Sequence, residues 1–189
     1  VEGCYGLTEA GAGSDAGSLR CRAELKGDKY IVNGVKKFIT NGNVAHYCVL
    51  AANEDPEKGY KGVINLIVDL KNTPGFSLGA IEDKMGILAS GTAELVFEDA
   101  EVPAENLLGT PGQGFKQMLM GLDAGRIGIG SQACGIGYAA LEDALQYSKE
   151  RVQFGKPIIS FQAIQWKLAD MATELKAAEL MLLNAAWRE

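Results

Sequence analysis

The sequence predicts an α+β fold: a small antiparallel β-sandwich or barrel, followed by two long antiparallel helices of an incomplete helical bundle. Three observations lead to this prediction. Turn signals separate short apolar runs over residues 1–110. Apolar residues recur every three or four positions over 160–188. The net charge of −6 comes from residues 1–110, which hold 10 basic and 16 acidic side chains, whereas 111–189 hold eight of each. We therefore predict domains at 1–110 and 111–189.

Short apolar runs predict the strands of the first domain. Residues 30–32 and 35–39 flank Asn33-Gly34, a pair that favours a two-residue hairpin turn. Asn41-Gly42 marks a second turn. Further strands are predicted at 47–52, 63–69, 76–81 and 94–98. Several short strands at this spacing are typical of a small sandwich or barrel.

The second domain is predicted to contain two helices. Residues 160–188 form the clearer one, with Ser160 as a candidate N-cap. Its apolar seam consists of Phe161, Ile164, Leu168, Met171, Leu175, Ala178, Leu182 and Ala185. Residues from about 114 to 151 also have a helical period, although each glycine within them costs a helix up to about 1 kcal/mol relative to alanine. These glycines are Gly121, Gly125, Gly128, Gly130, Gly135 and Gly137. A helix here predicts close approach of another helix or a ligand; the alternative is that the glycines break the stretch into loop.

Composition excludes several kinds of site. The four cysteines have neither metal-knuckle nor CxxC spacing, so free buried thiols are the better interpretation. His46 is the only histidine, which excludes a multi-histidine metal site in this chain, and no GxSxG elbow accompanies it. The acidic balance disfavours nucleic acid as a partner. No apolar run approaches the roughly 18 residues of a membrane span.

Four segments carry candidate chemistry. The run of small residues at 7–15 suits a loop whose amides approach an anionic ligand, or is a plain surface turn. Residues 38–42 place an aromatic ring two positions before a hydroxyl, as beside a planar cofactor, or simply form a strand entering a turn. Asp123 and Arg126 share a helix face, as ligand contacts or as a surface ion pair. Arg151 is a candidate phosphate ligand, or part of an ordinary helix corner.

In this order and spacing, these segments resemble the acyl-CoA dehydrogenase family, and the resemblance covers essentially the whole chain. The matching stretches are LTEAGAGSD at 7–15, FITNG at 38–42, GTAELVFEDAEVP at 91–103, LDAGRIGIGSQACGIG at 122–137 and RVQFGKPIISFQAIQWKLADM at 151–171. The short-chain, butyryl-CoA type is the most similar. The resemblance implies a middle β-domain at 1–110 and the first part of a C-terminal helical domain at 111–189.

The resemblance also implies a reaction and its participants. FAD is the implied cofactor, and the substrate is an acyl-CoA, oxidised to the 2,3-enoyl-CoA as in fatty-acid β-oxidation. A carboxylate removes the α-proton while a hydride leaves the β-carbon for flavin N5. Electron-transferring flavoprotein is the implied partner. A homo-oligomer, usually a tetramer, is implied as well, located in bacterial cytoplasm or the mitochondrial matrix.

Site residues are carried over by similarity. The implied FAD contacts of the first loop are Tyr5, Leu7, Thr8, Gly13 and Ser14. Those beside the flavin ring are Phe38, Ile39 and Thr40, with the Thr40 hydroxyl near N5. Those supplied to a neighbouring subunit's FAD are Arg151, Phe154 and Gln162. The implied acyl-CoA contacts are Ser14, Asp123 and Arg126.

Three positions depart from the family pattern. Gly125 stands where a minority of members carry the catalytic glutamate, so no catalytic residue is assigned. The base is expected outside this chain, and the chain is expected to be a piece of a longer protein. Phe38 replaces a common tryptophan and keeps an aromatic wall. Leu88 stands where arginine is expected. Two other interpretations stay open: an acyl-CoA oxidase that passes electrons to oxygen, and a flavin-free interaction module.

Overall fold

The computed structural model describes residues 2–189, which form two compact units, one extending to Leu119 and the other covering Met120–Glu189. The predicted α+β class is confirmed. The first unit contains β1 Gly3–Gly6, β2 Arg22–Lys26, β3 Lys29–Thr40, β4 Tyr47–Asn53, β5 Val63–Asp69, β6 Phe76–Ile81 and β7 Thr92–Pro103. Helix α1 spans Gly114–Glu150, and β8 Val152–Gln153, β9 Lys156–Pro157 and α2 Gln162–Arg188 follow it.

The seven strands of the first unit form one sheet. The strand order is β1-β4-β2-β3-β7-β6, and β5, which lies off this path, also pairs with β4. The sheet is mixed rather than wholly antiparallel as predicted, because β1 and β2 both run parallel to β4. Long connections separate β4 from both strands in the chain, and only such connections let neighbouring strands run in the same direction.

The core of the first unit lies on the central strands. Val63–Leu66 of β5 are buried without interruption, because both faces of this strand are covered. On β7 the buried side chains Leu95 and Phe97 alternate with more exposed neighbours, which is the period of a strand with one face in the core. The Phe97 ring packs against Phe76 of β6 with a centroid distance of 5.4 Å.

The predicted hairpin turn at Asn33-Gly34 is wrong, because both residues lie inside the continuous strand β3. Here β7 carries one extra residue opposite Asn33, and Asp99 takes a left-handed φ of 49°. The Asn33 side chain donates to the Asp99 carboxylate (3.0 Å) and accepts from the Asp99 amide (2.8 Å). A Cβ on Gly34 would lie 2.7 Å from the Cα of Cys21, so the glycine serves a close strand contact.

The hairpin turn that does form is at Gly27-Asp28, between β2 and β3. Lys26 pairs with Lys29 across it, and Gly27 takes a φ of 65°. A two-residue loop that begins with glycine is a recognised hairpin signal. The strands predicted at 47–52, 63–69, 76–81 and 94–98 are confirmed, although β7 begins at Thr92 and continues to Pro103.

Helix α1 is continuous, so the interpretation that its glycines break it into loop is wrong. Two of them lie against α2, which runs antiparallel to α1. A Cβ on Gly130 would lie 2.5 Å from Leu182 Cδ2, and one on Gly137 would lie 2.4 Å from Leu175 Cδ2. These two glycines therefore allow α2 to pack closely on α1. Another helix was one of the two predicted causes, the other being a ligand.

The remaining glycines of the cluster have a different environment. Among the described residues, nothing lies within 4 Å of a Cβ built on Gly121, Gly125, Gly128 or Gly135.

No helix in the described part of the chain has the length and hydropathy to cross a membrane.

Helix α2 begins at Gln162 without the predicted Ser160 cap. Ser160 ends a short 3₁₀ turn, Ile158–Ser160, and Phe161 occupies the N-cap position in an extended conformation. The Phe161 carbonyl accepts from the amides of Ile164 and Gln165 at 3.0 and 3.1 Å. These are the first hydrogen bonds of the helix, and among the described residues no side chain caps its start.

Candidate functional site

The loop at 7–15 is held by a buried ion pair. Lys36 of β3 is 0% exposed, and its ammonium donates to Glu9 Oε1 (2.7 Å) and to the Leu7 carbonyl (3.0 Å). The Lys37 amide donates to the Thr8 carbonyl at 2.8 Å. Glu9 and Ala12 exchange backbone hydrogen bonds of 3.0 and 3.2 Å, so the loop turns tightly between them. The loop is therefore an anchored element of the first unit and not a plain surface turn.

The carboxylate of Glu9 completes this anchor. It is 9% exposed and also accepts from the backbone amides of Arg20 (2.7 Å) and Cys21 (2.9 Å). Burial by itself raises the pKa of Glu9, but the hydrogen bond and charge of Lys36, with the two amides, outweigh it and hold the pKa below its ordinary value. Sequence reasoning missed this pair, because nothing in the local pattern of β3 distinguishes a buried lysine from an exposed one.

A bulge at the end of β3 presents the second segment. Lys36 pairs with Leu95 and Ile39 with Ala93, so two residues, Lys37 and Phe38, lie opposite the single residue between them on β7. Phe38 takes a left-handed φ of 59°, and its side chain is 59% exposed. A bulky residue in this region costs about 1–3 kcal/mol, and such strain is concentrated at functional sites. The bulge points an aromatic ring out of the sheet beside the anchored loop.

Three further predicted contacts, Ile39, Thr40 and Tyr5, lie on or at the ends of strands β3 and β1. Ile39 is buried in the core, whereas Thr40 is exposed at the end of β3. Tyr5 of β1 has a buried hydroxyl without a hydrogen-bond partner among the described residues. Burial, with a smaller effect of Cys48, raises the pKa of Tyr5 to about 12, so the hydroxyl is a neutral donor.

The structure therefore brings together some of the first-unit residues that were predicted to contact FAD. Leu7 and Thr8 are bonded to the residues of β3 that immediately precede Phe38. Gly13 and Ser14 lie exposed further along the loop, and within residues 2–119 no hydrogen bond joins them to the 38–40 segment. Leu88 is exposed in the loop between β6 and β7.

A cavity that the sequence did not predict lies in the first unit. Its volume is about 550 Å³, and its lining includes Lys58, Lys61, Lys116, Tyr60 and Phe115. The Tyr60 and Phe115 rings lie 5.5 Å apart. Lys58 pairs with Asp55, whereas neither Lys61 nor Lys116 forms an ion pair with a described residue. The cavity thus offers ammonium groups beside an aromatic surface.

The same cavity adjoins the end of the first loop. A Cβ on Gly17 would lie 3.6 Å from the Phe115 ring and 3.7 Å from Tyr60 Cβ. Glu54 and Asp55 also line it, so its polarity is mixed.

In the second unit, the predicted residues fall in two places. Asp123 and Arg126 form an ion pair on α1, and both side chains are largely exposed. Arg151, Phe154 and Gln162 lie around the β8–β9 hairpin, all exposed.

The β8–β9 hairpin holds Phe154 in a special conformation. Phe154 and Gly155 form its two-residue loop with φ values of 53° and 76°, the signs that a type I′ turn requires. Phe154 is 93% exposed, and its ring meets Phe161 edge-on at 6.0 Å. A second exposed aromatic ring is thus held in the left-handed region. Among residues 2–189, no group of three or more His, Cys, Asp or Glu side chains could hold a metal ion.

Comparison with known proteins places these segments in one family. The family model for the acyl-CoA dehydrogenase middle domain matches residues 4–100, and the model for the acyl-CoA dehydrogenase C-terminal domain matches residues 112–189. The chain is 50% identical over 185 residues to the probable acyl-CoA dehydrogenase YngJ of Bacillus subtilis (strain 168), a match covering 98% of this chain and 49% of that protein.

Comparison with solved structures indicates the same family. The butyryl-CoA dehydrogenase of Megasphaera elsdenii has a TM-score of 0.95 at 50% identity, over 98% of this chain and 49% of that one. A chain in the structure of the electron transferring flavoprotein of Acidaminococcus fermentans has a TM-score of 0.96 at 53% identity, over 98% of this chain and 48% of that one. The chain spans about half the length of the relatives it matches. Since the two family models together cover nearly all of it, the chain belongs to the acyl-CoA dehydrogenase family.

Proposed function

We propose that this chain is part of an FAD-dependent acyl-CoA dehydrogenase that oxidises a short-chain acyl-CoA to the 2,3-enoyl-CoA, with residues 1–110 as its middle β-domain and 111–189 as the first part of its helical domain. One observation carries the proposal: β3 anchors the 7–15 loop and also presents the strained, exposed Phe38 two positions before Thr40. The similarity to a butyryl-CoA dehydrogenase supports the short-chain type.

The residues of the first unit fit a flavin. The exposed Phe38 ring offers an aromatic wall to a planar ring system. The buried Tyr5 hydroxyl, which has no partner in the described part of the chain, is a donor available to a ligand. No described residue lies within 4 Å of a Cβ built on Gly13, so the loop leaves room for a ligand to approach its backbone. When bound, FAD supplies the acceptor for the hydride. In the proposed site Leu7, Thr8, Gly13 and Ser14 bind its polar part.

Beside the flavin ring, Phe38 would exclude water from one face, and the Thr40 hydroxyl would donate to the ring. Ile39 would contribute only backbone atoms, because its side chain is buried in the core. Arg151, Phe154 and Gln162 would bind the FAD of a neighbouring subunit. Their exposure, with the strain at Phe154, supports this assignment. The proposal therefore includes a homo-oligomer, a tetramer by similarity.

For the substrate, Ser14, Asp123 and Arg126 are the proposed acyl-CoA contacts. The cavity beside Gly17 supports a place for the nucleotide end of coenzyme A, because Lys61 and Lys116 can pair with phosphate and the Tyr60–Phe115 surface can pack on a base. Gly125 cannot abstract a proton, so the catalytic base is proposed to lie outside this chain. Electron-transferring flavoprotein is the proposed acceptor. Bacterial cytoplasm or mitochondrial matrix is the proposed location.

The test of this function uses the full-length protein. It should be purified with bound FAD, lose its oxidised-flavin absorbance when butyryl-CoA is added anaerobically, and pass electrons to an electron-transferring flavoprotein. Oxygen consumption without that partner would instead show an acyl-CoA oxidase. Failure to retain FAD would overturn the assignment in favour of a flavin-free module.

Replacing Arg151 with alanine should weaken FAD binding by the full-length protein by roughly tenfold to a hundredfold, since a hydrogen bond to a charged group contributes about 1.5–3 kcal/mol. The apoprotein would be titrated with FAD and binding followed by flavin fluorescence. Arg188→Ala, an exposed arginine at the end of α2, is the matched control and should leave the affinity unchanged. Equal affinities in both variants would contradict the Arg151 assignment.

Thr40→Val keeps the side-chain shape and removes one donor. If Thr40 donates to the flavin ring, we expect a changed absorption spectrum and a reduction potential shifted by roughly 10–30 mV, which corresponds to one hydrogen bond. Thr173→Val, whose hydroxyl bonds to a carbonyl on α2, serves as the control. A wild-type spectrum and potential in Thr40→Val would show that Thr40 is only a strand residue.

A further inference from the structure

One lysine connects the two parts of the proposed flavin site. Lys36 is fully buried in β3, and its ammonium bonds to the Leu7 carbonyl and to Glu9 of the first loop. It also immediately precedes the bulge that turns Phe38 out of the sheet. The side chain of Lys36 thus fixes the loop, while its own backbone sets the start of the bulge.

Glu9 also ties the 7–15 loop to the chain that follows it. Its carboxylate lies at the start of the loop and accepts from the amides of Arg20 and Cys21, eleven and twelve residues later. Removing this carboxylate would release the Arg20 and Cys21 amides as well as the ammonium of Lys36. Gly13 and Ser14 lie between these two attachment points, so their positions depend on both.

A buried ion pair is an expensive way to hold a loop. Desolvation of two charges opposes burial, and apolar residues of similar volume are often at least as stabilising. An ion pair fixes direction, however, because the Lys36 ammonium must meet two oxygen atoms at once, at 2.7 and 3.0 Å. The arrangement therefore suits a geometric requirement better than a requirement for stability.

From this geometry we propose that Lys36 and Glu9 are positioning residues that pre-organise the 7–15 loop against Phe38 before the cofactor binds. Neither residue touches the cofactor in this proposal; both act through the loop backbone. The inference rests on the proposed function, because it takes FAD as the ligand that the loop receives.

A measurement on the wild-type protein tests pre-organisation directly. In the full-length apoprotein, the amides of Glu9, Ala12 and Lys37 should exchange with solvent as slowly as those of β4 and β5. FAD should then slow their exchange only a few-fold further. Fast exchange of the three amides in the apoprotein, followed by strong protection on FAD binding, would overturn the proposal, because the cofactor would then be ordering the loop.

Glu9→Gln tests the carboxylate without changing the shape of the side chain. We expect FAD affinity to fall at least tenfold, the spectrum of the remaining bound flavin to change, and exchange at Ala12 and Lys37 to accelerate. Glu101→Gln is the matched control. Glu101 accepts at 2.6 Å from Lys29, which lies on β3 like Lys36, but this pair is exposed. The control should retain the affinity, the spectrum and the exchange rates of the wild type.

The outcomes separate this proposal from the function on which it rests. If the wild type binds no FAD, the proposed function fails, and the exchange experiment on the apoprotein still shows whether the loop is pre-organised. If the wild type binds FAD and a folded Glu9→Gln protein retains its affinity and spectrum, only the positioning role fails. Lys36→Gln, which keeps a donor for Leu7, is the second variant if Glu9→Gln does not fold.

Discussion

Lys36→Met is expected to lower the free energy of unfolding by about 3–5 kcal/mol, because it leaves the buried carboxylate of Glu9 without its opposite charge. Methionine fills a similar volume, so the loss reports the charge and not a cavity. The Glu9 carboxylate would keep only the backbone amides of Arg20 and Cys21 as partners. Chemical denaturation of wild type and variant at neutral pH measures the difference.

Lys29→Met is the matched control, since Lys29 lies on the same strand and pairs with Glu101 at the surface. An exposed pair contributes about 0–1 kcal/mol. The double variant Glu9→Gln/Lys36→Met should recover much of the loss, because no unpaired buried charge remains. Similar losses in Lys36→Met and Lys29→Met would mean that Glu9 finds other compensation.

Lowering the pH offers an independent check on the same pair. The folded-state pKa of Glu9 lies below its ordinary value, so its contribution to stability is complete above pH 4.5 and is lost as the pH falls through the lower folded pKa. Wild type should therefore lose more stability than Glu9→Gln in that acidic range.

Gly114→Ala should destabilise the protein by about 3 kcal/mol. A Cβ at this position would lie 2.4 Å from the Val63 carbonyl oxygen and 2.7 Å from the Cα of Ile64. Both atoms belong to the backbone of the buried strand β5, which cannot move without breaking its pairing with β4. In addition, the Gly114 carbonyl accepts from Asn65 at 3.0 Å, so a shift of the helix start would also cost this bond. Chemical denaturation again provides the measurement.

The control for this substitution lies on the same helix. Gly135 also belongs to α1, but nothing described lies within 4 Å of its Cβ position, so Gly135→Ala should stabilise the protein by up to about 1 kcal/mol through helix propensity alone. Opposite signs for the two substitutions are expected. A neutral Gly114→Ala would show that β5 yields to the added methyl group.

Strands β4, β5 and β6 could be predicted because each is an uninterrupted apolar or alternating run between turn residues. The hairpin at Asn33-Gly34 could not be judged correctly, since local turn preference is weaker than the pairing of a twelve-residue strand with β7. Strands β1 and β2 were missed because they are only four and five residues long, and β2 is mostly exposed.

The candidate site, too, could be predicted from the sequence only in part. Thr8, Phe38 and Thr40 could be selected from the order of motifs along the chain. The bulge that turns Phe38 outward could not, because it depends on how many residues β7 places opposite it. In the second unit, the motif indicated Phe154, but only the hairpin shows that its backbone is left-handed.

By itself, the sequence determined the α+β class, most strands, both long helices and the family resemblance, because these follow from local periodicity and from the order of short motifs. Only the tertiary structure decided that Lys36 is buried, that Glu9 joins the 7–15 loop to Arg20 and Cys21, and that Gly130 and Gly137 face α2 while Gly135 does not. The physical reason is that burial and close approach depend on residues far apart in the chain, which no local pattern records.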